Sequence, residues 1–299
     1  MTDSIAAPLA SYARDIYSQS GEDGIIGEIL NRIGSASQMD GWCVEFGAWD
    51  GIHLSNTYNL IKNRGYRAVL IEGDAIRHKQ LCKNIPSADI IKICQFVNFE
   101  GDASLGSILK KTPIPEDFDF LSIDIDGCDY FILESLTDYR PKLVCIEYNP
   151  TIPNEVEFVQ PKDFSVKQGS SAKSLTRLAE KMGYALVAVT HCNLFFVRNA
   201  FKNAVVGSDD VSLDALRDDA AYRSFIFCGF DGTILTNRSA ISMPWHNIEL
   251  DSEALQQLPR YLRRLPPDYS PLQQILFEFF LAFKFPKTFC ARLAKKLSR

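Results

Sequence analysis

The chain has 299 residues, 46% of them hydrophobic and 23% charged, with a net charge of -5. This is enough apolar material for a full core. It argues against general disorder, and the acidic balance makes a duplex nucleic-acid binder a poor expectation. The apolar runs stop at about eight residues, against the roughly 18 needed to span a bilayer. The first residues lack a basic stretch followed by an apolar one, so no secretory signal is expected.

In chain order, Gly24–Ile33 carries apolar residues at helical spacing, with Ser20 or Asp23 as candidate caps. Trp42–Phe46 reads as a buried strand stopped by Gly47, and Leu54–Asn63 as a helix closed by Gly65. A second strand at Ala68–Ile71, a helix at Ala75–Asn84 and a third strand at Ile90–Phe96 follow. Leu105–Leu109 is a short helix, Phe118–Ile125 the fourth strand, Tyr130–Leu136 a helix and Leu143–Glu147 the fifth strand. Ser170–Met182 is amphipathic. Tyr184–Thr190 and Leu194–Val197 lie close enough together for a hairpin. Strand–helix alternation followed by a hairpin predicts an α/β fold: a mostly parallel seven-stranded sheet, covered on both faces, with a terminal antiparallel strand.

The eight cysteines form no C-x-x-C pair and the four histidines no ligand spacing. They read as reduced, mostly buried thiols of a cytoplasmic protein without a zinc motif.

Ligands of such sheets bind beyond the carboxyl ends of the strands, near the point where strand order reverses. Strand one ends in Glu45-Phe46-Gly47-Ala48-Trp49-Asp50-Gly51, whose glycines let the backbone approach a ligand, and strand two in Glu72-Gly73-Asp74. A carboxylate at Glu72 suits the two hydroxyls of a ribose. The G-x-G-x-x-G pyrophosphate pattern is absent, so a nucleoside without phosphates fits better than a dinucleotide. Asp50 is a candidate to hold a ligand amine. Strand four ends in Asp124-Ile125-Asp126-Gly127, with two acids expected on one side of the strand, and strand five in Glu147. Asp124, Asp126 and Glu147 would therefore meet above adjacent strands, where they can orient a substrate, act as general base or hold a divalent metal. The plainer role for each of these residues is helix capping.

The set Glu45-x-Gly47-Ala48-x-Asp50-Gly51, Glu72 and Ile123-Asp124-Ile125-Asp126-Gly127 resembles the Rossmann-like S-adenosylmethionine-dependent methyltransferases, and among them the FkbM-type family, over about Ser18 to Arg198. The resemblance implies S-adenosylmethionine as cofactor, with a divalent metal unsupported. Gly47, Ala48 and Gly51 would line its methionine end, with Glu45 and Asp50 from the same motif. Glu72 would accept from the ribose hydroxyls beside Gly73, and Asn98 or Val97 would sit by the adenine. Asp124 and Asp126 would face the methyl-transfer centre, with Asp126 the first choice of base, Asp124 the second and Glu147 nearby. The implied acceptor is a small molecule or a sugar or glycan hydroxyl. The polar segments Ser18–Asp23 and Gln168–Ser171 are candidates to close over the site, or else helix caps. His191 is expected at the surface.

Two other readings compete. Asp124-x-Asp126-Gly127 also resembles the nucleophile motif of haloacid-dehalogenase-like, magnesium-dependent phosphatases, with Gly207–Asp210 as metal ligands and Phe230–Thr233 as a second partial match. The third reading is a non-catalytic binding module on a cofactor fold.

Residues 1–200 form the expected catalytic domain and 201–299 a C-terminal helical extension. From Arg260 onward nine basic residues face two acidic ones, a net +7 that leaves -12 on residues 1 to 259. Leu272–Phe285 is rich in phenylalanine. Three roles are open for 272–299: docking on its own domain, forming a homo-oligomer, or lying peripherally on the inner membrane.

Overall fold

The computed structural model describes residues 8–237 and 240–297. Residues 1–7, weighed above for a signal, and Arg299, counted among the tail cations, lie outside them. The chain divides into two units, one ending at Tyr222 and one beginning at Arg223.

The first unit is a seven-stranded sheet. Its strands are β1 (Trp42–Phe46), β2 (Arg67–Glu72), β3 (Ile90–Cys94), β4 (Phe120–Ile123), β5 (Leu143–Glu147), β6 (Tyr184–Val189) and β7 (Asn193–Arg198). They lie in the order β3-β2-β1-β4-β5-β7-β6. All pairs are parallel except those of β7, which runs against both β5 and β6. The order reverses between β1 and β4, so the crevice expected for a ligand opens above those two strands.

Alternation along the strands sorts side chains onto two faces. Val44, Val69, Leu121 and Val144 pack with Leu105, Ile108, Leu133 and Leu175 on one face. These last four come from α4 (Leu105–Leu109), α5 (Asp129–Ser135) and α6 (Ala172–Lys181). Cys43, Leu70, Phe120 and Cys145 pack on the other face with Ile29, Leu60, Leu81 and Val205. These belong to α1 (Glu22–Gly34), α2 (Tyr58–Arg64), α3 (Ala75–Asn84) and α7 (Asn199–Val206). Both faces are apolar because helices cover both, as a parallel sheet requires.

Several expected boundaries move, and at two of them, the start of α2 and the end of β4, a carboxylate captures backbone N–H groups. The α2 helix starts at Tyr58 rather than Leu54: Glu45 accepts from the Asn56 N–H (2.8 Å) and from the hydroxyls of Ser55 and Thr57, holding that stretch out of the helix. The β4 strand ends at Ile123, because Asp129 accepts from the N–H groups of Ile125 and Gly127, both at 2.9 Å. The α1 helix begins after left-handed Gly21, with no side-chain cap. Asp23 turns back instead and accepts from the N–H groups of Ile16, Tyr17 and Ser18. The caps of α3 (Asp74) and α6 (Ser171) each accept backbone N–H groups in the ordinary way.

Away from the crevice, Lys142 binds Asp119 at 2.7 Å and Asp40 at 2.9 Å where the parallel strands begin, and the Asp119 side chain is fully buried. All eight cysteines are free thiols. Cys43, Cys128 and Cys145 are buried, but Cys94, Cys228 and Cys290 are exposed, so the expectation of mostly buried thiols holds only in part.

After α7 the first unit continues through a short helix, α8 (Leu213–Leu216). Arg217 then donates to the carbonyl oxygens of Pro150 and Ile152 and to Asn154 Oδ1. The second unit is α-helical only at its end, with short 3-10 turns before that. It opens with two hairpins, β8 (Ile226–Cys228) with β9 (Ile234–Thr236) and β10 (Ala240–Met243) with β11 (Ile248–Asp251). The helices α9 (Pro271–Lys284) and α10 (Pro286–Leu297) close it. Strands of three or four residues are too short to show an alternation in the sequence.

Candidate active site

The crevice is built on one row of residues across the sheet. Phe46 pairs with Ile123 and with Ile71, and Ile123 pairs with Ile146. One step further lie Glu72, Gly47, Asp124 and Glu147, and Glu147 is itself paired with Asn193. The parity of the strands aims the acidic members of this row toward the α1 side.

Gly47 is where only glycine fits. Its φ is +85°, and a Cβ there would lie 1.8 Å from the Asp124 carbonyl oxygen. Its N–H and that of Ala48 both donate to the Ile71 carbonyl at 3.1 Å. The turn is thereby pinned against β2 while Gly47 itself stays open to solvent. Glu72 accepts from the N–H of Trp49 at 2.8 Å and from that of Asp74 at 2.7 Å. Each of its oxygens keeps a lone pair, and its side chain ties the loops after β1 and β2 together. Beside it, Gly73 leaves room for the Phe96 ring, which a Cβ would meet at 2.4 Å. Phe96 is 78% exposed and its ring stands open at this end of the crevice, whereas the Arg77 guanidinium lies 3.9 Å over the Trp49 ring.

Several residues of the expected cofactor set serve the scaffold. Ala48 is buried among the apolar side chains of the α1 face. Asp50 accepts from the N–H groups of Ile52 and His53 and closes its own turn. Gly51 makes room for Leu81 and Ile85. Glu45 is buried, holding the 55–57 loop. Asn98 is exposed and folds onto its own segment, its Oδ1 accepting from the Phe99 N–H, while Val97 is buried. Gly47, Glu72 and Gly73 remain beside the crevice.

At the other end, the carboxylates of Asp124, Asp126 and Glu147 come together, with one oxygen of each within 4.8 Å of the other two. Asp126 does not arrive by strand alternation, because β4 has already ended. It is carried there by a left-handed turn, φ +55°, that Asp129 stabilises from beneath. Asp124 and Glu147 are hydrogen-bonded to each other. Burial and mutual repulsion push both carboxyls above the ordinary range, Glu147 the further. Three carboxylates this close can share a proton or a cation, and can take a proton from a bound hydroxyl.

Sequence reasoning singled out neither Asp129 nor Glu22 for a role. Glu22 lies in the polar segment Ser18–Asp23, which the structure brings to this site. Its Oε1 accepts from Thr190 Oγ1 (2.9 Å) and Asn193 Nδ2 (2.7 Å), while its buried Oε2 has no hydrogen-bond partner. Burial raises its carboxyl to about 7, and the Asp124 charge adds to the shift. Burial likewise raises Glu45 to about 7. Local spacing offers no cue to the place of Glu22, since its partners Thr190 and Asn193 are far away in sequence.

The Gln168–Ser171 segment is held by Gln160, whose Oε1 accepts from the N–H groups of Gln168 and Gly169. Gln160 also faces Gly127, so this loop crosses the turn that carries Asp126. His191 is exposed, as expected. Asp210 accepts from the Ser212 N–H and Asp231 from the Thr233 N–H, so each is spent on its own turn.

Residues 102–186 match the family model of the methyltransferase FkbM domain. Over that stretch the chain is similar to FkbM-type methyltransferases. The match begins before β4 and ends in β6, so it takes in the carboxylate cluster and the loop that crosses it. No protein of curated function matches the sequence.

Solved structures with similarity include monomeric WbdD, at 17% identity and TM-score 0.40 over 62% of this chain and 42% of that one. They also include an O-methyltransferase from Bacillus cereus in complex with SAH, at 14% identity and TM-score 0.38 over 62% and 82%. A SAM-dependent methyltransferase from Aquifex aeolicus aligns at 10% identity and TM-score 0.34 over 56% and 87%. The chain spans 42% to 54% of the length of the first three solved proteins it matches. The strand order, rather than these superpositions, carries the fold.

Proposed function

We propose that the chain is an S-adenosylmethionine-dependent methyltransferase acting on an oxygen acceptor, a sugar or glycan hydroxyl. The observation that carries this reading is the floor of the crevice at Gly47. There the absent side chain lets the backbone run against Asp124 and leaves an open surface between Glu72 and the carboxylate cluster. The family match over 102–186 supports it.

The residues fit such a cofactor in two respects. Glu72 offers acceptor lone pairs next to the open ring of Phe96, a setting for a ribose and a flat base. The cluster at the other end is acidic, which suits a sulfonium and an ammonium and repels a phosphate. That sign weighs against the dinucleotide reading. When bound, the cofactor supplies an electrophilic methyl group that passes in line to the acceptor oxygen.

The chain's own residues supply orientation and a proton acceptor. Asp126, on its left-handed turn, accepts the acceptor hydroxyl proton as the new O–C bond forms. Asp124 and Glu147, joined by their hydrogen bond, keep Asp124 aimed at the same space. Holding oxygen, methyl and sulfur in line supplies much of the rate.

Calorimetric titration with S-adenosylmethionine and S-adenosylhomocysteine tests the reading, with NADH as control and Glu72→Gln as second protein. Micromolar binding of the first two, weakened in the variant, is expected. Failure of both to bind would overturn it. Methyl transfer from labelled cofactor to a panel of sugars, phenols and amines then tests the oxygen acceptor.

A further inference from the structure

The second unit ends in a helix with one face seated and the opposite face open. On the seated side of α9, Phe277 meets the Tyr269 ring edge-on at 5.5 Å, Leu281 is buried, and Gln273 donates to the Tyr261 carbonyl at 2.8 Å. On the other side lie Leu272, Ile275, Leu276, Phe279 and Phe283. At about 100° per residue they fall within roughly a third of the helix circumference. Phe283 is 91% exposed, Phe279 70% and Leu272 65%. Burial of side chains this large is ordinarily among the stronger terms that hold a protein together.

We propose that this face of α9 lies in the surface of an anionic lipid bilayer, with α10 supplying the cations that hold it there. Charge decides between the occupants. From Lys284 to Lys296 the chain carries Lys284, Lys287, Arg292, Lys295 and Lys296 and no acidic residue. The single acid nearby, Glu278, is already met by Arg292 and Lys296. A phenylalanine-rich stripe bordered by lysines matches the boundary between acyl chains and anionic headgroups. The orientation is in the plane of the surface. A helix of 14 residues is about 21 Å long against a hydrocarbon core of about 30 Å, and among the described residues no helix is long and apolar enough to cross a membrane.

The test is sedimentation of the full chain with vesicles of phosphatidylcholine, with and without phosphatidylglycerol. Binding is expected to the anionic vesicles, to weaken with salt, and to fall at least tenfold on neutral ones. Lys284→Gln with Lys287→Gln should weaken it by about fivefold per charge. Phe279→Glu with Phe283→Glu should abolish it while circular dichroism and the melting temperature stay unchanged, since both side chains are exposed. Failure of the native chain to sediment with anionic vesicles would overturn the proposal. So would binding indifferent to the phenylalanine changes, or a concentration-dependent dimer that those changes dissolve, which would assign the face to a second copy.

Discussion

The carboxyl groups of Asp124 and Glu147 are hydrogen-bonded across the ends of two adjacent parallel strands, and one of them carries the proton. Two carboxylates in such contact cannot both be charged in a buried setting. Glu147, pushed further up by burial and by the Asp124 charge, is the donor. Glutamine at 147 offers an N–H in the same place. Glu147→Gln is therefore expected to change methyl transfer at neutral pH by less than about threefold, whereas Asp126→Asn, lacking the proton acceptor, should cost on the order of 10²–10⁴. Steady-state kinetics on one acceptor would check both; equal losses would remove the distinction between holder and base.

Gly47→Ala should destabilise the fold well beyond what its backbone angle costs. The left-handed φ alone costs about 1–2 kcal/mol. The added Cβ would also drive into the Asp124 carbonyl, a backbone atom that cannot swing aside. Gly65 has φ +69° with nothing within 4 Å of its would-be Cβ, so Gly65→Ala isolates the angle. Unfolding free energies from denaturant titration of the two variants should differ, with Gly47→Ala the lower by at least about 1 kcal/mol.

Stability should fall as pH rises from about 4.5 to about 7. Glu22 and Glu45 both have folded values raised to about 7 from an ordinary 4.5, chiefly by burial. A raised carboxyl binds its proton more tightly when folded, so the native state is favoured where the proton is on and loses ground as it leaves. For each group the ceiling is on the order of 3 kcal/mol. Melting temperatures across this range should show the fall, and Glu45→Gln should flatten it, because an amide can still serve the Asn56 N–H and the Ser55 and Thr57 hydroxyls.

Lys142→Met should damage folding but not chemistry. It would strand Asp119, whose side chain is fully buried, at the edge of the sheet remote from the crevice. Breaking a buried pair by removing one partner costs about 3–5 kcal/mol. Any protein that still folds should bind the cofactor as the native chain does, by the same calorimetry.

The strands, their mostly parallel pairing and the closing hairpin were legible in the sequence, because burial on both faces writes uninterrupted apolar runs such as Ala68–Ile71 and Leu143–Ile146; the order in which the strands lie was not. The acids at 72, 124, 126 and 147 were legible as strand ends. What each acid does was not. Glu45 and Asp50 look like site residues in one dimension, and each is taken by N–H groups of a loop whose path no local pattern states. Glu22 sits in a segment that reads equally as a helix cap, and its partners Thr190 and Asn193 lie more than 160 residues away. The left-handed turn at Asp126 likewise follows from Asp129 beneath it rather than from its own residue type.

The antiparallel course of β7 has a consequence for when the protein becomes competent. Because β7 reverses, the turn that precedes it lies beside the carboxyl end of β5, and it is from this turn that Thr190 and Asn193 grip the first residue of α1. One wall of the crevice is thus a clasp between the start and the end of the sheet. On a ribosome, strands one to five can pair long before that clasp exists. The acid-lined wall closes only once the chain has been made as far as Asn193, so a nascent or truncated chain ending in α6 would hold most of the sheet and no finished site.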